Sequence, residues 1–170
     1  MRTPWLFFIF HLPASSATQR VNVWRRLQKY GALGWKNSAY VLPHNAANVE
    51  KFQWLAREIW KCHGGASIVE VARIARYTDK EVIARFDRAR GLAYERLIQD
   101  MRLCLRGAAG RSAAELLRHF TRLNRRLTEI AAIDAFGCGR KKEAESLLRE
   151  LEARCRADKS LVCCPGNTFT

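Results

Sequence analysis

The spacing of hydrophobic and polar positions changes along this chain, and the changes mark out its elements. Trp5 to Leu12 is a continuous apolar run rich in aromatic residues. Such a run predicts a strand buried on both faces. Pro13 and Ser15-Ser16 end it, and Ser16 or Thr18 can cap a helix reaching Lys29 or Tyr30. Val21, Trp24 and Leu27 recur every three residues and are expected to face a sheet. Gly31 suits the left-handed exit from that helix. Leu33–Lys36 and Ala39–Leu42 are short strands around Asn37-Ser38. Asn45 caps a second helix from about Ala46 to Cys62, with a stripe of Val49, Phe52, Ala56, Ile59 and Trp60. Trp54 lies off that stripe, so it is either covered by a later helix or an exposed contact. Gly64-Gly65 ends the helix, and Ala66 to Val71 is a fourth strand. The order βαββαβ is the ferredoxin-like arrangement.

After Arg73 the period is helical throughout. Thr78 with Glu81 is a capping box for a helix reaching about Leu105, with a stripe of Val82, Phe86, Ala89, Ala93, Leu97, Met101 and Cys104. Ser112 with Glu115 opens a second helix to about Ala135, and a third runs from about Arg140 to Arg156. The fold class is therefore α+β: a ferredoxin-like βαββαβ sandwich followed by a three-helix C-terminal extension. The expected organisation is a ferredoxin-like domain over 1–73, a helical domain packed on it over 74–158, and a loose tail over 159–170.

Charge adds a functional constraint. The 170 residues carry 30 Lys and Arg against 16 Asp and Glu, a net +14. The excess is spread over the chain and favours acidic partners, whether nucleic acid, anionic lipid or small oxyanions. The six cysteines form no CxxC pair and no zinc-ligand spacing, which favours a reducing compartment and a cytoplasmic location. Cys104 is expected to act as a small hydrophobe, and adjacent Cys163 and Cys164 to be exposed. The amino terminus imitates a secretory signal, with Arg2, the Trp5–Leu12 run and Ser15-Ser16-Ala17 in the three expected places. His11 and Pro13 interrupt the run, and the later strands need it as a partner, so the strand reading is preferred. No other segment approaches a membrane span, and no membrane partner is expected.

Two basic clusters are candidate binding sites. On the helix from Ser112, Leu116, Phe120, Leu123, Leu127 and Ile130 form one face, and Arg118, Arg122, Arg125 and Arg126 lie opposite. Clustered guanidinium forks suit phosphate or other oxyanions. The same arginines read equally well as a solvated face paired with Glu115 and Glu129. The second cluster is Arg20, Arg25, Arg26, Lys29 and Lys36, with Trp24 and Trp35 nearby. Its bland alternative is an ordinary exposed flank. Asp134 falls on the apolar side and is expected to find an Arg partner or sit at an edge. His11 ends the first strand with no acid in the first 49 residues, so it is read as structural or as a polar contact. No catalytic residue, metal site or cofactor is expected.

WLFFIFHLPASSATQRVNVWRRLQKYGALGWKNSAYVLP, FQWLAREI and RLNRRLTEIAAIDAFG together resemble the amino-terminal domain of the ChrB chromate-resistance proteins. The likeness covers residues 5 to 155; the first half is also distantly similar to the ferredoxin-like domain of PaaX-type repressors. The resemblance implies a chromate-responsive regulator of a chromate-resistance operon but supplies no DNA-reading element; association with promoter DNA is expected through the basic patches, and no enzymatic activity is expected. It also implies a second, carboxy-terminal domain, expected to be missing here or supplied by a separate chain; a homodimer through the sheet edge is a further option. The PaaX-type winged-helix DNA reader is not expected either. A small-oxyanion module for chromate or sulfate without DNA contact is the alternative. A Cas2-like nuclease is a third, weakened by the missing acid at the strand end.

Overall fold

The computed structural model describes residues 4–162. Its first part is β1 (Trp5–His11), α1 (Ala17–Tyr30), β2 (Leu33–Lys36), β3 (Ala39–Pro43), α2 (Ala46–Lys61) and β4 (Gly65–Val71). The sheet order is β2-β3-β1-β4 with every neighbouring pair antiparallel. This is the ferredoxin-like topology read from the sequence. The helices α3 (Asp79–Arg106), α4 (Ala113–Ala132) and α5 (Lys141–Val162) follow.

Alternation along β1 sends side chains to two layers. Leu6 and Phe8 are buried on the side of α2, where Phe8 meets Phe52 at 4.9 Å between ring centroids. Trp5 points the other way, stacks on Phe86 of α3 at 5.9 Å, and donates its indole N–H to Asp79 at 2.9 Å. Each fully buried side chain of this size contributes about 1.5–3 kcal/mol by leaving water. The expectation of burial on both faces holds for Trp5 and Leu6 and fails farther along, where Ile9 is 46% exposed. The early turns of α3 cover the Trp5 end of that face through Phe86, and Arg85 lies over Trp35 of β2. His11 closes the strand, and Gly65 beside it admits the ring, since a Cβ there would lie 2.2 Å from His11 Cε1.

The expected stripe is rotated in α1, and in α2 it holds at Phe52, Ala56 and Ile59, with Val49 packed against the core, and fails at Trp60. In α1 the buried residues are Val23 and Leu27, whereas Val21 and Trp24 are 46% and 51% exposed. In α2 the buried stripe is Asn48, Phe52, Leu55, Ala56 and Ile59, and Trp60 is 56% exposed. Burial at 23 and 27 is i,i+4 spacing, and 48, 52, 55 and 59 keep the same 3.6-residue period. Trp24 and Trp60 each lie about 100° from a buried neighbour. Aromatic character attracted them to the apolar stripe, but geometry leaves them outside it.

The chain forms two compact units. The first comprises Met1–Ala89 with Ile133–Phe136, and the second Arg90–Ala132 with Gly137–Thr170. The division expected after residue 73 thus falls inside α3, because Val82 and Phe86 join the core beneath the sheet. In the second unit the core is Tyr94, Leu97, Ile98 and Met101 of α3, Leu116, Leu123 and Leu127 of α4, and Ala144 and Leu151 of α5. Tyr94 and Arg90 are buried where Ala93 and Ala89 were expected. Cys104 and Cys155 are buried thiols, as Cys104's place on an apolar face suggested. The helix α5 continues to Val162, past the expected end at Arg156 and into the stretch read as a tail. The rest of that tail, with Cys163 and Cys164, lies outside the described residues.

Gly31 has φ +76, and a Cβ there would lie 2.7 Å from Ile133 Cβ. Gly31→Ala combines a left-handed backbone with a steric overlap, and should cost about 1–3 kcal/mol. Urea unfolding checks this: the midpoint should fall with the slope unchanged.

Candidate functional site

In the first unit, α1 and α2 lie on the same face of the sheet and form a groove of about 750 Å³. Its lining includes Trp24, Arg25, Arg26 and Lys29 from α1, and Glu58, Lys61 and Cys62 from α2 and its end. Ferredoxin-like topology brings these helices side by side, so cations distant in sequence share one surface. Arg26 is bound: its guanidinium is 2.6 Å from Glu58 and 4.5 Å from the Trp54 ring centroid. Exposed cation–π contacts contribute about 0.5–1 kcal/mol. Among the described residues, Arg25, Lys29 and Lys61 have no carboxylate within ion-pair distance. At the edge of this region, burial raises the Tyr30 phenol's pKa; Arg26 opposes the shift and Glu58 adds to it.

The expected second cluster is therefore divided. Arg25, Arg26 and Lys29 come together. Arg20 lines a neighbouring groove with Trp24, Phe10 and Tyr40, and donates to the carbonyls of Pro13 and Ala14 at 3.0 and 3.4 Å. It ties down the loop between β1 and α1. Lys36 ends β2, is exposed and lines neither groove. Trp35 belongs to the opposite sheet face, edge-on to Phe7 at 5.8 Å and beneath Arg85 at 4.7 Å. Trp54 is the exposed contact foreseen as one of two options, at 48% exposure. Lys61 was missed; the pairing of the two helices on one sheet face was the signal that could have found it.

In the second unit the four arginines of α4 also separate. Arg126 is paired with Asp100 of α3, and Arg125 Nε is 3.3 Å from Glu129. Arg118 is exposed. Arg122 and Arg126 share a cleft of about 470 Å³ with Arg111, His119 and Cys104. Arg122 lies 3.2 Å from His119 Nδ1, and Arg111 donates to the Cys104 carbonyl at 3.0 Å. His119 could have been found from its i,i+3 spacing to Arg122. Arg111 had no sequence signal, because its place depends on the chain folding back after the Gly107–Gly110 break. Asp134, which belongs to the first unit, is half-buried. Among the described residues, no three His, Cys, Asp or Glu side chains gather as metal ligands.

The family model for "Protein ChrB, N-terminal" matches residues 20–106. The chain belongs to the ChrB N-terminal family. It is also 27% identical over 151 residues to "Protein ChrB" of Cupriavidus metallidurans, covering 89% of this chain and 46% of that protein. It therefore spans about half the length of this ChrB relative. No solved structure matches it. Among the described residues, no helix is long and apolar enough to cross a membrane.

The start of α4 gives a pH test of this architecture. Ser112 N–H and Oγ donate to Glu115 at 3.0 Å each, and these bonds hold the Glu115 carboxyl below its ordinary range. A lowered folded-state pKa stabilises above the unfolded value, and the gain is lost as pH falls through the folded value. Protection factors of the amides at Ser112–Leu116, taken against the intrinsic exchange rate at each pH, should hold at neutral pH and fall only in acid below the usual carboxylate range. Ser112→Ala removes the hydroxyl but keeps the backbone N–H donor, so it should lessen the acid transition without abolishing it and cost about 1 kcal/mol.

Proposed function

We propose that this ChrB-family chain is the nucleic-acid-associating part of a cytoplasmic, chromate-responsive regulator of a chromate-resistance operon. The observation that carries the reading is the groove between α1 and α2, where Arg25, Lys29 and Lys61 have no ion-pair partner among the described residues. Uncompensated cations on adjoining helices repel one another, and a polyanion relieves that repulsion while releasing its own counterions. The reading assigns the chain no catalytic step. The partner is promoter DNA, held through phosphates, with a second copy or a ChrB carboxy-terminal domain adding sequence discrimination.

A second reading, a small-oxyanion module, rests on the α4 cleft. Arg111, Arg122 and His119 offer nitrogen donors to a tetrahedral dianion such as chromate or sulfate. Calorimetry with each anion tests it: heat abolished by Arg122→Ala supports the cleft, and no heat from either anion removes it.

For the first reading, a fragment from upstream of the operon is titrated at several salt concentrations. Affinity should fall steeply with salt. Arg25→Glu with Lys29→Glu should weaken binding by about tenfold or more and flatten the log–log salt slope by about 2. Unchanged affinity and slope would remove the groove from the model.

A further inference from the structure

The first unit displays two half-exposed indoles beside its cationic groove. Trp24 lines the groove and is 51% exposed; Trp54 is 48% exposed and lies against Arg26, itself a groove residue. Neither ring is needed for the core, since α1 buries Val23 and Leu27 and α2 buries Phe52, Leu55 and Ile59. Tryptophan is highly buried on average, so two such rings beside one basic groove need a reason. We infer that this groove binds single-stranded nucleic acid, with unpaired bases stacking on Trp24 and Trp54 and phosphates held by Arg25, Lys29 and Lys61.

The inference deepens the nucleic-acid reading above and rests on it. A duplex presents phosphates outward and keeps its base faces stacked, so it can use the cations but not the rings. A single strand can use both. Aromatic platforms beside a cationic track are the sequence-tolerant means of holding unpaired bases. The guanidinium of Arg26 already occupies one region of the Trp54 ring at 4.5 Å and is held there by Glu58. That fixes the indole through one part of its surface and leaves the exposed remainder of the ring to a base. Trp60 is a built-in control. It is on another flank of α2, beside Arg57 and the β4 residues Ala66 and Ile68.

The test compares fluorescently labelled 12-mers of oligo-dT and oligo-U with a 12-base-pair duplex, at one salt concentration, using the full chain. Either single strand should bind about tenfold or more tightly than the duplex and quench intrinsic tryptophan fluorescence. The relative strength of the dT and U arms distinguishes DNA from RNA as the source. Trp24→Ala and Trp54→Ala should each weaken single-strand binding by about fivefold to a hundredfold. The Phe variants should keep much of it, and Trp60→Ala should change nothing. Single strand and duplex bound alike, with no effect of the tryptophan variants, would overturn the inference and leave polyanion binding standing. No binding of any nucleic acid would overturn both. Should an alanine variant unfold, quenching of the wild-type chain by single strand but not duplex decides the matter.

Discussion

The first unit depends on β1 pairing along both edges at once. Its residues are in register with β3 from Trp5↔Pro43 to Ile9↔Ala39, and with β4 from Trp5↔Val71 to His11↔Gly65. A strand held on both sides cannot slip by one residue without exchanging its two faces. That constraint separates the layers. Leu6 and Phe8 are committed to the side of α2, and Trp5 to Phe86 and Phe136. With both helices confined to one face, their outward sides form a continuous surface. The groove follows from the sheet's register, and the side chains of α1 and α2 decide what it offers.

Those side chains divide the charge into two classes. Arg26, Arg125 and Arg126 are neutralised by Glu58, Glu129 and Asp100. Pairs this exposed contribute at most about 1 kcal/mol each. Their larger effect is to hold a long side chain in one place. Arg25, Lys29 and Lys61 have no such partner among the described residues and remain hydrated. A hydrated cation gives up little to meet a phosphate, whereas a paired one must first leave its carboxylate. The number of arginines on a helix is therefore a poor guide to its binding capacity. The α4 face has four in sequence, yet only Arg122 and Arg126 reach its cleft, and Arg126 is already paired.

The fold was legible because its signals are local. Strand runs, the Asn45 cap and the capping boxes at Thr78 and Ser112 each depend on residues a few positions apart, and each appears as read. Helix phase was less legible, for a physical reason. Trp24 and Trp60 are apolar by composition and adjacent to buried positions, so a periodicity count accepts them at a 100° error. Only the presence of better-placed Val23 and Leu55 shows that they face outward. The cation clusters were half legible. Arg25, Arg26 and Lys29 are neighbours on one helix. Lys61 and Arg111 reach their sites through tertiary packing that no local spacing encodes.

Helix phase and charge pairing act together at one point. Rotating α1 so that Trp24 faced the sheet would move Val23 out of the core and carry Arg25, Arg26 and Lys29 away from α2. The Arg26–Glu58 pair would break, and Trp54 would lose its guanidinium. The exposed Trp24 is thus the consequence of the same helix phase that builds the basic groove. An apolar residue placed at 24 for burial alone would have no such link to the cations beside it. The register of β1, the phase of α1 and the composition of the groove are one constraint expressed at three levels.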